Sequence, residues 1–415
     1  MMNFECIATG ARAAASVLAT VGQREKQAAL SAISEALRAQ TDVILAANAQ
    51  DIAAAEANGT RSVMVDRLRL TAERIQAMAK GVDEVAALPD PTGEVLSMTT
   101  RPNGLVVGKK RVPLGVVGII FESRPNVTVD AAVLCLKSGN ACILRGGREA
   151  LHSNLALADI MRQAIVSVGL PADAINLLND TTREGAEAMM QAHGLLDVLI
   201  PRGGAGLIRS VVEHSTVPVI ETGTGNCHIY VEATADPDMA VAIVDNAKTS
   251  RPSVCNAAES LLIDEAVAAS LLPKIADRLL EKKVQLYGCE KACAILGERI
   301  QPATEEDYAR EYLDFAMSVK VVSGLQEAIA HINRYSTHHS EAIVTQRYDA
   351  AQQFLNEVDS AAVYVNASTR FTDGGEFGEG AEIGISTQKL HARGPMGLTA
   401  LTSVKYIIYG NGQVR

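Results

Sequence analysis

Short apolar runs alternate with segments of helical periodicity from residue 114 onwards. The pattern predicts strands at 114–121, 141–144, 175–178, 198–200 and 217–220. It predicts helices at 127–138, 149–168, 183–192 and 206–214. Apolar strands separated by helices are typical of a parallel sheet with helices on both faces. Ligands of such sheets bind beyond the carboxyl ends of the strands.

A second alternation of the same kind follows from residue 228. Its predicted strands are 260–263, 318–322, 341–345 and 361–365. Its predicted helices are 238–248, 265–282, 324–335 and 348–358. The break between the two series lies near Glu221–Asn226, which reads ETGTGN. The chain is therefore predicted to form two α/β domains.

Three further segments lie outside these series. Residues 3–58 are Ala-rich with helical periodicity. The pair Asn58-Gly59 is predicted to end this helical segment, because glycine readily adopts the left-handed conformation found at helix C-termini. A second helical segment begins near Thr71, a plausible N-cap, and is predicted to end near Gly81. Residues 95–112 alternate around Asn103-Gly104, which favours a hairpin over a surface loop. Residues 399–409 predict a final strand.

Composition and charge narrow the class of protein. The chain has 415 residues, of which 48% are hydrophobic, so it can form the cores of two or three domains. Its net charge of -10 argues against a nucleic-acid partner. We find no apolar stretch long enough for a membrane span, and we expect no signal peptide, because Met1 to Gly22 holds charged residues and no unbroken apolar run. Seven cysteines without paired spacing predict reduced thiols, a cytoplasmic protein and no metal site.

Two glycine-rich turns are candidate phosphate sites. Arg145-Gly146-Gly147 and Arg202-Gly203-Gly204 each follow a predicted strand and precede a helix. Small residues there let backbone N–H groups approach a phosphate at a helix N-terminus, and an arginine adds an ionic contact. Two such turns in one series favour nucleotide or phosphate binding, although no GxGxxG fingerprint is present.

Cys255 is the candidate nucleophile among the cysteines. It lies in a polar loop between a helix and a strand, where Arg251 and the following backbone amides can favour the thiolate. The alternative interpretation is a buried structural thiol. Cys227, beside the ETGTGN loop, is the only competitor for the catalytic role.

Three segments resemble the γ-glutamyl phosphate reductases of the aldehyde dehydrogenase superfamily: residues 112–150, 220–231 and 248–263. The likeness covers nearly the whole chain, and the FESRPN and RPSVCNA motifs are specific to this branch. It implies an aldehyde dehydrogenase-like α/β fold with two parallel-sheet domains and a β-hairpin oligomerisation flap. It also implies reduction of γ-glutamyl phosphate by NADPH to glutamate 5-semialdehyde and phosphate, through a cysteine thioester, in proline biosynthesis.

The resemblance assigns roles to individual residues. Cys255 matches the nucleophile and Asn126 the oxyanion donor. The matches on the cofactor side are Arg145, Gly146, Gly147, Arg202, Gly203, Gly204, Glu221, Thr222, Gly223 and Glu311. We do not assign Glu221 as a hydrolytic base, because a reductase of an acyl phosphate must keep water from the thioester.

The resemblance also implies domains and partners. The expected NADPH-binding domain is 1–98 with 113–224, the catalytic domain 225–385, and the flap 99–112 with 386–415. We expect a homo-oligomer whose C-terminal strand is buried by a second chain, with the upstream glutamate kinase as a candidate partner. In the alternative arrangement, that strand completes the chain's own catalytic sheet. Competing functions are another acyl-CoA or aldehyde dehydrogenase, a non-catalytic nucleotide-binding scaffold, and a small-metabolite kinase.

Overall fold

The computed structural model describes residues 4–60 and 62–415, which form two compact units. The first unit runs to Thr222 and also includes Gly378–Gly384 and Pro395–Arg415. The second unit comprises Gly223–Phe377 and Ile385–Gly394.

These boundaries differ from the expected ones in the C-terminal region. Residues 378–384 fall in the first unit because the Met396 N–H donates to the Gly384 carbonyl at 2.9 Å. Residues 385–394, expected mostly in the flap, fall in the second unit. There Arg393 forms an ion pair with Asp359 at 2.8 Å.

The first unit combines helices with a small parallel sheet. Its helices are α1 (Phe4–Leu18), α2 (Gln23–Ala39), α3 (Thr41–Ala57), α4 (Ser62–Leu68), α5 (Ala72–Ala87), α6 (Asn126–Lys137), α7 (Leu151–Ser167), α8 (Arg183–Met190) and α9 (Ala205–His214). Its first six strands are β1 (Val95–Thr100), β2 (Val106–Pro113), β3 (Val116–Phe121), β4 (Ala141–Arg145), β5 (Ile175–Leu177) and β6 (Val198–Arg202). Strands β5-β4-β3-β6 form a four-stranded parallel sheet in that order.

Two predictions for this unit are wrong in detail. The strand predicted at 217–220 makes only one isolated bridge, between Leu199 and Val219, since Pro218 has no N–H to donate. The helix that begins after the Thr71 N-cap continues past Gly81 to Ala87. Val82 and Val85 are buried, and their packing outweighs the weak helix propensity of one glycine.

The second unit contains a larger sheet. Its strands are β7 (Cys227–Val231), β8 (Ala258–Asp264), β9 (Gln285–Gly288), β10 (Gln301–Pro302), β11 (Ala316–Val322), β12 (Ser340–Val344), β13 (Ala362–Val365) and β14 (Ile385–Ser386). Strand β15 (Gly394–Pro395) begins in the second unit, and Pro395 belongs to the first. Its helices are α10 (Pro237–Thr249), α11 (Glu265–Glu281), α12 (Glu290–Leu296), α13 (Glu305–Tyr308), α14 (Leu325–Tyr335) and α15 (Tyr348–Glu357). Seven strands pair in parallel in the order β10-β9-β11-β8-β7-β12-β13.

Both faces of this sheet are buried, which explains the apolar strand sequences. On one face, Ile229 and Leu261 pack in an apolar cluster together with side chains of α10 and α11. On the other face the alternate residues Tyr230 and Leu262 pack with Ile343. Successive side chains of a strand point to opposite faces, so a strand covered on both sides needs apolar residues throughout.

A separate three-stranded antiparallel sheet contains the predicted hairpin. Strand β1 pairs with β2, and β2 pairs with the last strand, β16 (Thr402–Tyr409). The hairpin prediction is therefore confirmed, and β16 pairs within its own chain rather than completing the seven-stranded sheet. The sheet exposes large apolar side chains, including Met98, Tyr406 and Ile408. In the described residues, no helix is both long and apolar enough to cross a membrane.

Candidate active site

The loop of residues 250–257 places Cys255 between α10 and β8. Helix α10 stops at Thr249, and Pro252 disfavours further helix at Arg251. Cys255 is half-buried, and none of the cysteines of the described residues is in a disulfide. The Cys255 carbonyl accepts a hydrogen bond from the Cys227 thiol at 3.2 Å. The candidate nucleophile therefore lies on a partly accessible turn directly above strand β7.

Gly225 lies against this loop and connects it to Glu311. Its Cα is so close to the Cys255 backbone that a Cβ would overlap the Cys255 carbonyl, so only glycine fits there. The Gly225 N–H donates to Glu311 Oε1 at 2.6 Å. Burial raises the pKa of Glu311, although this hydrogen bond opposes the shift. Glu311, expected on the cofactor side, thus supports the segment that packs under Cys255.

Asn256 and Arg370 hold the other side of the loop. The Asn256 amide donates to the Thr372 carbonyl at 3.0 Å, and the Thr369 hydroxyl donates to the Asn256 carbonyl at 2.7 Å. Arg370 donates through Nη1 to the Asn256 side-chain oxygen and through Nε to the Ser250 hydroxyl at 3.1 Å. Sequence reasoning missed Arg370, because it follows Asn256 by 114 positions and no motif singles it out.

A buried polar layer lies behind Cys227. Lys248 and Glu259 are both fully buried and form an ion pair of 2.5 Å. Burial raises the pKa of Glu259 to about 7 and lowers that of Lys248, while their mutual attraction opposes both shifts. Burial, followed by the charge of Glu341, raises the pKa of Cys227 well above its usual range. Cys227 is therefore a poor source of thiolate.

An open cavity of ≈520 Å³ lies at the carboxyl ends of β3 and β4 in the first unit. Its lining includes Ile120, Phe121, Arg145, Gly147 and Arg148. This is the position at which parallel sheets collect ligand phosphates, and the size suits part of a nucleotide. The apolar strand ends and the two guanidinium groups therefore fit a dinucleotide cofactor.

Arg145 is already engaged within the protein. Its Nη2 donates to the carbonyls of Thr181 and Thr182 at 2.9 and 2.6 Å. Its buried Nε has no hydrogen-bond partner in the structure, and burial lowers its pKa. Gly146 packs so closely on Asn154 that a Cβ would overlap its amide nitrogen. The phosphate role of the 145–147 turn stays a prediction.

The second glycine-rich turn has an acidic neighbour. The Gly204 N–H donates to Glu122 Oε2 at 2.9 Å, and a Cβ on Gly203 would overlap the same carboxylate. The Glu122 carboxylate therefore accepts a hydrogen bond from a backbone N–H that the sequence pattern predicted as a phosphate donor. The role of Arg202, Gly203 and Gly204 likewise stays a prediction.

Asn126 and Glu221 belong to the first unit, as does Thr222, whereas Gly223 begins the second. Asn126 opens α6, and its amide donates to Asp130 Oδ2 at 2.9 Å. Burial raises the pKa of Asp130 to about 6, against the effects of that hydrogen bond and of Arg202. Glu221 is half-buried, and the Thr222 hydroxyl donates to the Pro201 carbonyl at 2.8 Å.

The described residues contain no cluster of three metal-ligating side chains.

Comparison with known proteins extends over the whole chain. A model of the aldehyde dehydrogenase family matches residues 2–294. The γ-glutamyl phosphate reductase of Moorella thermoacetica is 60% identical over 98% of this chain and 97% of the relative. That of Clostridium perfringens strain SM101 is 58% identical over the full length of both.

The chain belongs to the γ-glutamyl phosphate reductases of the aldehyde dehydrogenase family.

Solved structures agree with this placement. The γ-glutamyl phosphate reductase of Thermotoga maritima has a TM-score of 0.97 at 47% identity, covering 99% of each chain. An acetylating aldehyde dehydrogenase of Geobacillus thermoglucosidasius has a TM-score of 0.71 at 18% identity, covering 99% of this chain and 97% of that one. The second likeness shows the fold alone. The expected family and aldehyde dehydrogenase-like α/β fold are confirmed.

Proposed function

We propose that this chain reduces γ-glutamyl phosphate to glutamate 5-semialdehyde and phosphate with NADPH, in proline biosynthesis. The observation that carries the proposal is the half-buried Cys255 loop in a chain 60% identical to a γ-glutamyl phosphate reductase. The alternatives of a non-catalytic scaffold and a metabolite kinase lack such support. A scaffold does not need a thiol on this loop, and the sequence has no phosphate-transfer motif.

The first chemical step needs a thiolate and a good leaving group. The Cys255 sulfur attacks the acyl carbon, a carbon–sulfur bond forms, and the carbon–oxygen bond to the phosphoryl group breaks. Phosphate leaves with the electron pair, and no atom changes oxidation state. Asn126 is our candidate donor to the oxyanion, together with the Cys255 backbone N–H.

The second step reduces the thioester. A bound nicotinamide cofactor supplies the hydride when it is present. The chain's residues orient the thioester, return a proton to the departing sulfur and exclude water. Glu221 does not serve as a base for water in this scheme, since hydrolysis of the thioester would waste the activated substrate. A cofactor-orienting role for Glu221, Thr222, Gly223 and Glu311 is part of the proposal.

The cofactor is proposed to lie along the ≈520 Å³ cavity at the ends of β3 and β4. Arg145 and Arg148 bring two positive charges to this cavity, and Glu122 and Glu149 bring two negative ones. We propose that one of the arginines contacts the extra phosphate that distinguishes NADPH from NADH. The proposal includes a cytoplasmic location, which the free cysteines of the described residues support.

A reverse assay tests the proposed function. Glutamate 5-semialdehyde, phosphate and NADP are mixed with the protein, and the absorbance of the reduced nicotinamide is followed. We expect reduction of NADP that depends on phosphate. Parallel reactions replace NADP by NAD, and phosphate by coenzyme A. Equal rates without phosphate, or a dependence on coenzyme A instead, would contradict the proposal.

We also propose a homo-oligomer assembled through the three-stranded sheet of β1, β2 and β16. This sheet exposes Met98, Tyr406, Ile408 and Tyr409, each by 48% or more, which is unusual for a monomer's surface. An antiparallel sheet of this kind also leaves two open edges. Light scattering at micromolar concentration should give at least twice the chain mass of 43.9 kDa. Removal of residues 399–415 should give monomeric or insoluble protein, and a monomer mass for the intact chain would refute the proposal.

A further inference from the structure

Arg370 is bound to both ends of the loop that carries Cys255. Its Nε donates to the Ser250 hydroxyl at 3.1 Å, at the start of the loop. Its Nη1 donates to the side chain of Asn256, the residue after Cys255. Asn256 in turn donates to the carbonyls of Arg370 and Thr372 at 3.3 and 3.0 Å. This mutual bonding fixes a half-buried guanidinium beside the candidate nucleophile.

The charge of this guanidinium is not balanced by an ion pair. In the part of the chain that the structure describes, neither Arg370 nor Arg251 lies within ion-pair distance of a carboxylate. Burial, and next the positive charge of Arg251, lower the pKa of Arg370, while Cys255 and Asp373 act in the opposite direction. Arg370 is half-buried and Arg251 is exposed, and two such neighbouring guanidinium groups form a site for an anion.

We infer that Arg370 and Arg251 bind the phosphoryl group of the acyl phosphate substrate and of the inorganic phosphate that leaves. The inference rests on the proposed function, which requires an acyl phosphate at Cys255. Attack by Cys255 forms the carbon–sulfur bond and breaks the carbon–oxygen bond, and the electron pair goes to phosphate. The two arginines stabilise the charge that develops on this leaving group.

The phosphoryl group fits this position better than the α-carboxylate of the same substrate. A phosphoryl oxygen is bonded directly to the carbon that the sulfur attacks, whereas the α-carboxylate lies four carbon–carbon bonds away. Arg370 is bonded to the residue adjacent to Cys255, and Arg251 lies on the same short loop. The Arg370 guanidinium is thus anchored at the reacting end of the substrate, and Arg251 lies on the same loop.

The kinetics of the reverse reaction separate these two anions. Arg370→Lys, Arg370→Gln and Arg251→Gln are assayed with phosphate and aldehyde varied in turn. We expect the KM for phosphate to rise about 10- to 100-fold in the glutamine variants, less in Arg370→Lys, with the KM for aldehyde nearly unchanged. Arg299→Gln is the matched control, since Arg299 is exposed and pairs with Asp277. A rise in the KM for aldehyde alone, or in neither, would overturn the inference.

A second measurement does not need turnover. Inorganic phosphate should slow the alkylation of Cys255 by iodoacetamide in the intact protein and in Arg299→Gln, and should do so much less in Arg251→Gln. Within residues 4–60 and 62–415, Arg251 makes no hydrogen bond that holds the loop, so its replacement removes a charge without removing a contact that supports the fold. Equal protection by phosphate in all variants would contradict the subsite. An intact protein without phosphate-dependent activity would instead refute the proposed function, so the two failures are distinguishable.

Discussion

Cys227 and Cys255 are in direct contact, yet the structure gives their thiols opposite surroundings. Cys227 begins a central strand and is fully buried, and its thiol donates to the Cys255 carbonyl. Burial and the charges of Glu341, Cys255 and Glu259 raise its pKa well above the usual range. Cys255 is half-buried on a turn, and the positive charge of Arg370 interacts with it.

The difference teaches that position on the sheet, rather than neighbouring sequence, determines the surroundings of each thiol. A thiol at the start of a buried strand is surrounded by apolar groups and by the carboxylates of the next strand. A thiol on the adjoining loop can meet arginine side chains and solvent. A nucleophilic cysteine needs the second environment, because the thiolate is the reactive form.

Removal of the Cys255 sulfur should have the largest effect. Cys255→Ala is expected to lower the rate of NADPH-dependent reduction at least about 1,000-fold, because no thioester can form. Binding of NADPH, followed by its fluorescence, should change little. Turnover near that of the unchanged protein would refute the nucleophile.

Loss of the buried cation behind Cys227 should lower stability. Lys248→Met leaves Glu259 buried without its partner, and we expect the free energy of unfolding to fall by about 3–5 kcal/mol. Urea denaturation followed by circular dichroism measures this change. The control is Lys282→Met, which removes an exposed pair with Asp245 and should cost no more than about 1 kcal/mol. Equal losses in the two variants would contradict the assignment of a buried charge pair.

A buried histidine of α14, His331, predicts a pH dependence. Burial, and then the charges of His228, Lys320 and Arg334, lower the pKa of His331 to about 3. The unfolded chain takes up this proton near pH 6.5, whereas the folded chain does not, so stability should fall as the pH drops from 6.5 towards 3.

Replacement of this histidine isolates its contribution. His331→Phe should flatten the slope of unfolding free energy against pH by up to about 1.4 kcal/mol per pH unit, the value for one proton. Urea titrations at several pH values between 4 and 7 measure the slope. An unchanged slope would show that His331 takes up its proton in the folded chain as well.

The smallest effect is expected at the second cysteine. Cys227→Ala removes a buried sulfur but no reacting group, so activity should stay within about threefold of that of the unchanged protein. Stability should fall by about 1 kcal/mol through the small cavity left behind. Steady-state assays and urea denaturation measure both quantities. A loss of activity comparable to that of Cys255→Ala would reverse the assignment of the two thiols.

Much of the fold could be predicted from local patterns. Asn103-Gly104 predicted the hairpin of β1 and β2, and apolar runs predicted β3, β4, β6 and β8. The short elements between residues 285 and 308 were missed, since strands and helices of two to seven residues carry too little periodicity. The helix end at Gly81 was wrong because packing of the following turn overrides local propensity.

The site was predictable only where one motif carried the chemistry. Cys255 was predicted as the nucleophile from its polar loop and from the family resemblance, and this role stays a prediction. Arg370 was not, because its role depends on a contact with Asn256 across 114 positions of sequence. The hydrogen bond from the Gly204 N–H to the Glu122 carboxylate could not be predicted either. A glycine-rich turn has the same sequence pattern whether its N–H groups donate to a ligand or to a side chain.

The most direct test of the difference between the two thiols is the site of the covalent intermediate. The protein is mixed with glutamate 5-semialdehyde and NADP without phosphate, quenched rapidly in acid, digested and examined by mass spectrometry. Oxidation of the aldehyde on the enzyme should leave one γ-glutamyl group on the peptide that contains Cys255, and phosphate should remove it. A γ-glutamyl group on the Cys227 peptide, or no adduct while NADP is reduced, would contradict the assignment.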